Sequence, residues 1–444
     1  MKKHYNHFES YEWVGLFCNP DSDDEFHGKV TYVPEDGLSI DFFCTSKLKA
    51  KNFDCLHGIL STGELCTLLG DFHVNGLVMN RGAMLHNGVC SAYAMIFGEH
   101  VSNDKLFAGF SLDLTNFQEF CHPQGFKDWA NFSEQPLLEI QENGLNVSIR
   151  NTLNCSYLGS AVKNIFHCTN EVVVQRLADS ISEVMQEYPD ETISKRTNIG
   201  WELVVKADAG MKYDEANTYI SLLEKLMSIL IFRPVRRTQV YLLPKDAKFS
   251  SSGYPLLTSL FDMSKRKIMI LQEEISNHVQ PITLSKTKNL PSIIRQWLMR
   301  CDKYLIFATQ ISCRFDRQHE HELMGLFLIN LVQLEAIALA LGKCKQKEKY
   351  SAPFEQYDYT NINHIATSIF TLNSSTEVGQ SLGRLRAEIA HLAATDKILS
   401  KIGVRGLLII NRCVELIITS HIYTELGVEK DLIEYFQRHE LPQL

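Results

Sequence analysis

The 444-residue sequence contains no run of 18 uninterrupted apolar residues, so no membrane-spanning helix is expected. Its most apolar stretch, Leu323 to Leu341, is interrupted by Asn330, Gln333 and Glu335, which suits a buried helix better than a span. No apolar segment follows Lys2 and Lys3, so a secretory leader is not expected either. No C-x-x-C pair occurs among the 12 cysteines, which removes the zinc-ribbon spacing. Eight of the 12 lie in the first 168 residues, many inside strand-like runs such as Asp41-Phe42-Phe43-Cys44. Reduced, buried cysteine in a cytoplasmic protein is the expected state. The sequons Asn146-Val147-Ser148 and Asn154-Cys155-Ser156 then read as chance matches. The front half lacks G-x-S-x-G, a P-loop and a GxGxxG that opens a helix, so the nucleotide-binding and nucleophile-elbow chemistries have no foothold there. A basic surplus is also missing. Lys and Arg number 44 against 52 Asp and Glu, a net of −8, which argues against coating nucleic acid by bulk charge.

That charge is unevenly placed. Residues 280–444 carry 19 basic and 17 acidic residues, a net of +2, leaving 25 and 35, a net of −10, for residues 1–279. The hydrophobic pattern changes at nearly the same point. Up to about residue 168, short runs rich in Val, Ile, Phe, Tyr and Thr recur at roughly ten-residue spacing, among them Trp13–Cys18, Gly28–Val33, Leu38–Cys44 and Leu106–Leu114. Glu35-Asp36-Gly37 and Glu142-Asn143-Gly144 are hairpin signals between such runs. Residues 170–285 are mixed: Asn198–Ala207, Gln239–Leu243 and Lys267–Leu271 read as strands, and Tyr213–Phe232 as a long helix. From Pro291 the period is helical: one helix to about Ile311, a second from His321 to Gly342, a basic turn over Lys343–Lys349, then helices near Ile362–Thr371, up to about Ala394, and Ile398–Leu426, with a short tail helix. Asn373-Ser374-Ser375-Thr376-Glu377 offers N-cap chemistry. The expected fold is α+β. A β-rich region of antiparallel sandwich or jelly-roll type occupies 1–285, and an all-α bundle occupies 291–444.

One segment can be argued to a reaction: Leu382-Gly383-Arg384-Leu385-Arg386-Ala387-Glu388-Ile389-Ala390-His391. Leu385, Ile389 and Leu392 share the buried face of a helix, while Arg384, Glu388 and His391 fall on one flank. Arg386 lies about 140° from His391 around the axis. A histidine with a pKa near roughly 6.5 can move protons near neutral pH. An arginine can hold a phosphate bidentately while negative charge builds on it.

Arg386 and His391, with four residues between them, resemble the R-x4-H motif of HEPN ribonucleases, placed late in an all-helical region. The whole layout, with Gly15, Gly28 and Gly58 in strand contexts, is similar to the ApeA family of HEPN-containing anti-phage defence proteins. The resemblance implies metal-independent endonucleolytic RNA cleavage, with no cofactor. The ribose 2′-OH attacks the adjacent phosphate and leaves a 2′,3′-cyclic phosphate and a 5′-OH. It also implies a homodimer in which two motifs meet across a two-fold axis, a phage-derived trigger acting on the β-rich region, and growth arrest as the outcome. Ala387 stands where a polar residue often follows the motif arginine. Arg384, on the histidine's own flank, remains an alternative phosphate contact. Glu388 is placed to orient His391 and raise its pKa, and Glu335 to pair with a motif arginine. An i, i+4 salt bridge between Arg384 and Glu388 is the plain structural meaning of the same residues.

Other features carry less. Cys121-His122 and His319-Glu320-His321 hold metal-ligating types, but an i, i+2 pair does not share a helix face. Lys343, Lys345, Lys347 and Lys349 form a solvated turn that can also steer RNA, and Pro234-Val235-Arg236-Arg237 reads as a loop. Two rival functions stay open: a non-catalytic, dimerising module that binds a ligand or phage protein, and a helical partner for a separate nucleotidyltransferase.

Overall fold

The computed structural model describes residues 4–22, 25–44, 52–73, 76–80, 83–121, 135–157, 169–189, 194–245, 253–260, 263–314, 320–343, 345, 348–371, 377–391 and 398–441. The strands are β1 (Tyr11–Cys18), β2 (Glu25–Val33), β3 (Gly37–Cys44), β4 (Asn52–Leu60), β5 (Leu65–His73), β6 (Gly76–Asn80), β7 (Ala83–Phe97), β8 (Phe107–Leu114), β9 (Leu138–Glu142), β10 (Leu145–Tyr157), β11 (Ser194–Met211), β12 (Arg237–Leu243) and β13 (Tyr254–Thr258). All 13 belong to one antiparallel sheet. Both hairpin signals form turns. Glu142 pairs with Leu145 across Asn143 (φ 51°) and Gly144 (φ 75°), the two positive φ values that a tight two-residue turn demands.

The front of the sheet curls into a closed barrel in the order β3-β2-β1-β4-β5-β7, sealed where β3 pairs with β7. The long strand β7 makes this possible: His86–Ala92 pair with β3, and Ala92–Phe97 pair with β5. Closure removes the exposed edges that an open sandwich would leave. Beyond β7 the sheet runs on as an open layer, β13-β12-β8-β11-β10-β9. Side chains alternate along the shared strands. Met95 and Phe97 fill the barrel with Phe17, Val30 and Ile40, whereas Ala94 and Ile96 face the main core.

The helices are α1 (Phe117–Cys121), α2 (Glu171–Glu187), α3 (Tyr213–Ile231), α4 (Lys265–Gln272), α5 (Leu290–Arg300), α6 (Leu305–Ser312), α7 (Glu320–Ala340), α8 (Ala352–Tyr357), α9 (Ile362–Thr371), α10 (Val378–His391), α11 (Ile398–Leu426) and α12 (Lys430–Glu440). The β-rich front and helical rear are both present. Three details differ from the expectation. Lys267–Leu271 is helical, because Ser264 caps α4 by accepting from the Lys267 amide and only Ile268 and Leu271, three apart, turn inward. The helix expected over 291–311 breaks into α5, a 3₁₀ turn (Cys301–Lys303) and α6, where Arg300 leaves helical geometry (φ −134°). That break contains neither proline nor glycine, so nothing in the sequence marks it. The helix Ile398–Leu426 is kinked at Gly403 (φ 63°, ψ −177°), a conformation open essentially to glycine alone. The N-cap expected at 373–376 lies outside the described residues.

A single hydrophobic cluster runs from the open sheet (Leu112, Val147, Leu203) through α3 (Leu223, Leu226, Ile229) into the helices (Trp297, Phe307, Leu334, Leu385, Ile417), without interruption near residue 285. The Trp297 indole donates to Leu222 O (3.0 Å) and the Tyr423 hydroxyl to Ile229 O (2.7 Å), so α3 is stitched to both α5 and α11. Among the described residues, α7 is the one helix long and apolar enough to cross a membrane, with 44% of its apolar window buried. It packs along α11 through a buried polar chain: Gln310 donates to Asn330, Asn330 to Asn411 (3.4 Å), and Asn411 to Leu323 O (3.0 Å).

Candidate functional site

Helix α10 lies between α7 and α11, held by Ser381, Leu382 and Leu385, all fully buried. Gly383 faces the ring of Tyr350, where an added Cβ would come within 3.5 Å of the ring. Nearly one turn on, Arg386 reaches back to α7, its Nη1 3.9 Å from Glu335 Oε1. The same carboxylate oxygen accepts from the Tyr350 hydroxyl and lies 3.5 Å from Lys349 Nζ. The Lys349 ammonium stands 5.6 Å over the Tyr350 ring. One partly buried carboxylate thus serves an arginine, a lysine and a phenol. Its side chain is 25% exposed and that of Arg386 39%, so the arginine is anchored by Glu335 while part of its side chain meets solvent. Burial pushes the Tyr350 phenol well above its usual range, the bond to Glu335 and that carboxylate's charge push it further, and Arg386 opposes them. Tyr350 therefore stays protonated and keeps donating to Glu335.

Glu388, on the other flank of α10, is used differently. Its Oε2 accepts from the Ile398 amide (2.7 Å) and its carboxylate from the Leu399 amide (3.2 Å), so it caps α11. Arg384 is exposed on the solvent side. His391 is the last residue of α10; its side chain and Leu392 lie outside the described residues. The structure thus unites Arg386 with Glu335 and sends Glu388 to the neighbouring helix. Tyr350 and Gly383 join the site without any sequence signal, since 33 residues separate them and only the packing of α10 on the turn after α7 brings them together. That turn begins where Gly342 (φ 73°) ends α7 and the Lys343 amide donates to Ala338 O (2.9 Å).

Among the described residues, no group of three or more His, Cys, Asp or Glu is arranged to hold a metal. His122 and His319 lie outside the described residues, so the two metal-ligand pairs considered from sequence cannot be placed. The nine cysteines whose side chains are described are all free and mostly buried. Burial raises the thiols of Cys55, up to about 12, and of Cys121, which keeps both as unreactive thiols.

No curated protein sequence and no solved structure matches the chain. A family model does: ApeA N-terminal domain 1 matches residues 12–297, which spans the barrel, the open sheet, α3 and most of α5 and stops before Arg386. Covering well over half of 444 residues, this match makes the chain a member of the ApeA family, an ApeA-type anti-phage defence protein.

Proposed function

We propose that the helical rear is a HEPN-type endoribonuclease domain and the defence effector of the molecule. Arg386 carries this reading. It stands five residues ahead of His391 in α10, with four between them, its guanidinium is held by Glu335 from the adjacent helix, and its side chain stays part-exposed. In the proposed reaction, Arg386 grips the scissile phosphate and neutralises the charge that builds as the 2′-OH attacks. His391 moves the protons, and Arg384, about two turns before it on the same flank, is a further phosphate contact. A backbone rise of about 7.5 Å and a rotation of about 140° separate Arg386 and His391 along one helix, so a second motif from a second copy completes each site. The exposed apolar stripe of α7, Ile329, Val332 and Leu339, with Val404 and Leu408 of α11, is the surface that a second copy would cover. The working compartment is the cytoplasm, the substrate is RNA, and the front region gates the nuclease in response to a phage-derived trigger.

The test is incubation of the purified full chain with RNA in EDTA, with sequencing of the fragment ends. Cleavage that leaves 2′,3′-cyclic phosphate and 5′-OH ends, abolished by His391→Ala and by Arg386→Ala, is expected. Cleavage that persists in His391→Ala removes that residue from the mechanism. A second reading is that the helices only dimerise and the front binds a ligand or phage protein. It is favoured by the engagement of Arg386 with Glu335, the ordinary arrangement of a structural ion pair. Overexpression separates the two: a non-catalytic module leaves cells growing equally with wild type and with Arg386→Ala.

A further inference from the structure

A second concentration of arginine lies where the front of the chain meets the helices, and it is independent of the α10 site. Phe232 follows α3 in a left-handed conformation (φ 59°) and is fully buried. Two guanidiniums flank its ring, Arg412 with Cζ 4.4 Å from the centroid and Arg314 at 5.1 Å. Their partners are Glu415 and Glu440. Glu415 Oε2 lies 3.4 Å from Arg314 Nη1 and 3.7 Å from Arg412 Nη1. Glu440 Oε2 meets Arg412 Nη2 and lies 3.7 Å from Arg233 Nη1. His439 stands 3.5 Å from the other Glu440 oxygen. Three guanidiniums therefore share two carboxylates, both under a tenth exposed. Arg236 brings a fourth, donating to Cys313 Sγ (3.6 Å) next to Arg314, with no ion pair of its own among the described residues.

Among the described residues the four guanidiniums outnumber the two carboxylates, and two guanidinium donors find no hydrogen-bond partner. Arg314 Nη1 and Arg412 Nη1 are buried without a hydrogen-bond partner among the described residues. Burial first, and then the charge of Arg314, pull the Arg412 guanidinium down to about 9. Buried cations that must share their counter-charge are costly, and arginine forks match the geometry of a tetrahedral oxyanion. Two cations in excess of the carboxylates fit a dianion better than a monoanion. The cluster is reachable: the Arg233 side chain is 42% exposed, that of Arg314 24%, and Cys313 is exposed. It also draws on both parts of the chain, with Arg233 and Arg236 from the family-matched region and Arg314 and Arg412 from the helices beyond it.

We infer that this seam binds a small phosphorylated ligand, its phosphate group seated among Arg233, Arg236 and Arg314 with Arg412 behind them. A ligand there is gripped from both sides and ties the front region to the helices.

The experiment is isothermal titration of the full chain with inorganic pyrophosphate and, in a second arm, with ATP, in a phosphate-free buffer. Saturable binding is expected, weakened at least tenfold in Arg233→Ala/Arg236→Ala and unchanged in Arg438→Ala, an exposed arginine paired with Glu434 outside the cluster. Arg412→Met risks misfolding, so Glu440→Gln provides the independent check: it removes a competing carboxylate and should tighten pyrophosphate at least threefold. Equal affinity for pyrophosphate and ATP means that the phosphate alone is read; tighter ATP means that a nucleotide is the ligand. No saturable binding in either arm, binding untouched by the double variant, or a short RNA that displaces pyrophosphate and binds at least tenfold more tightly would each overturn the inference.

Discussion

Replacing Glu388 with alanine separates two roles for one carboxylate. In the structure it accepts from the amides of Ile398 and Leu399, two of the donors that the start of α11 leaves without helical partners. Loss of an N-cap costs about 1–2 kcal/mol, and loss of an anion at a helix N-terminus about 0.3–1 kcal/mol more. The effect should stay local. Gly403 breaks α11, so residues 398–402 form a short first segment that can open without the long segment that follows. At tenfold per 1.4 kcal/mol, a loss of about 1.5–2.5 kcal/mol speeds opening of that segment roughly 10- to 60-fold. Hydrogen exchange read by mass spectrometry on peptides covering 398–402 and 406–426 measures this directly. The first peptide should exchange faster in Glu388→Ala, the second should not change, and Glu388→Gln, which keeps an acceptor oxygen, should fall between. Unchanged exchange over 398–402, or an equal rise in both peptides, refutes the capping argument. NMR titration of His391 provides the counterpart: a carboxylate committed to the cap leaves its midpoint within about 0.3 units in Glu388→Gln, whereas an orienting carboxylate raises it by charge attraction, so that its removal lowers the midpoint by more.

Further outcomes follow from the same geometry. Glu335→Ala should cost less than about 1 kcal/mol in urea unfolding, because Arg386 and Glu335 are partly solvated, yet should slow RNA cleavage about 10- to 100-fold by releasing Arg386. Arg237 and Glu224 form a fully buried bidentate pair, with Arg237 Nε 2.8 Å from Glu224 Oε1 and Nη2 3.0 Å from Oε2; Arg237→Met should cost about 3–5 kcal/mol, and adding Glu224→Gln should recover part of it. His7 accepts the Thr258 amide at Nε2 and sits 3.1 Å from Thr238 O through Nδ1, which requires a neutral ring, and burial followed by the charge of Arg237 lowers it to about 3. The unfolded chain binds that proton from about pH 6.5 downward and the folded chain does not, so stability falls by up to about 1.4 kcal/mol per pH unit between roughly 6.5 and 3. Thermal melts at pH 4–7 should show that limb in the wild type and a shallower one in His7→Gln. Val332→Glu, in the exposed stripe of α7, should convert a dimer to a monomer on a sizing column with light scattering.

What could be read from the sequence depended on whether the cause was local. Glu142-Asn143-Gly144 announces its turn because positive φ at two adjacent positions selects residue types. The limits of Ile362–Thr371 and Ile398–Leu426 are legible because apolar spacing and flanking polar residues coincide there. Barrel closure is not legible, since it depends on β7 exchanging partners midway, from β3 to β5, and each half looks like an ordinary strand. Helix α2 is hidden for the opposite reason: Val172-Val173-Val174 is a β-branched run, and the helix is set by Asn170 accepting from the Val172 amide (3.1 Å). In the candidate site, Arg386 and Glu335 are visible as charges inside apolar periodicity. Tyr350 is not, because its role arises only where α10 presents Gly383 to the turn after α7.

Helix α3 has a consequence for the proposed gating of the helices by the front region. It precedes the helical rear in the chain, yet its backbone carbonyls at Leu222 and Ile229 accept bonds from Trp297, the last family-matched residue, and from Tyr423 beyond the match. A protein cut just after residue 285 would strand those two donors and strip the apolar wall that Trp297 and Phe307 lean on. Shedding the front as a detachable inhibitor is thus the expensive route. A tilt of α3, which packs on β8 of the open sheet and bonds to α11, would move both ends while breaking neither.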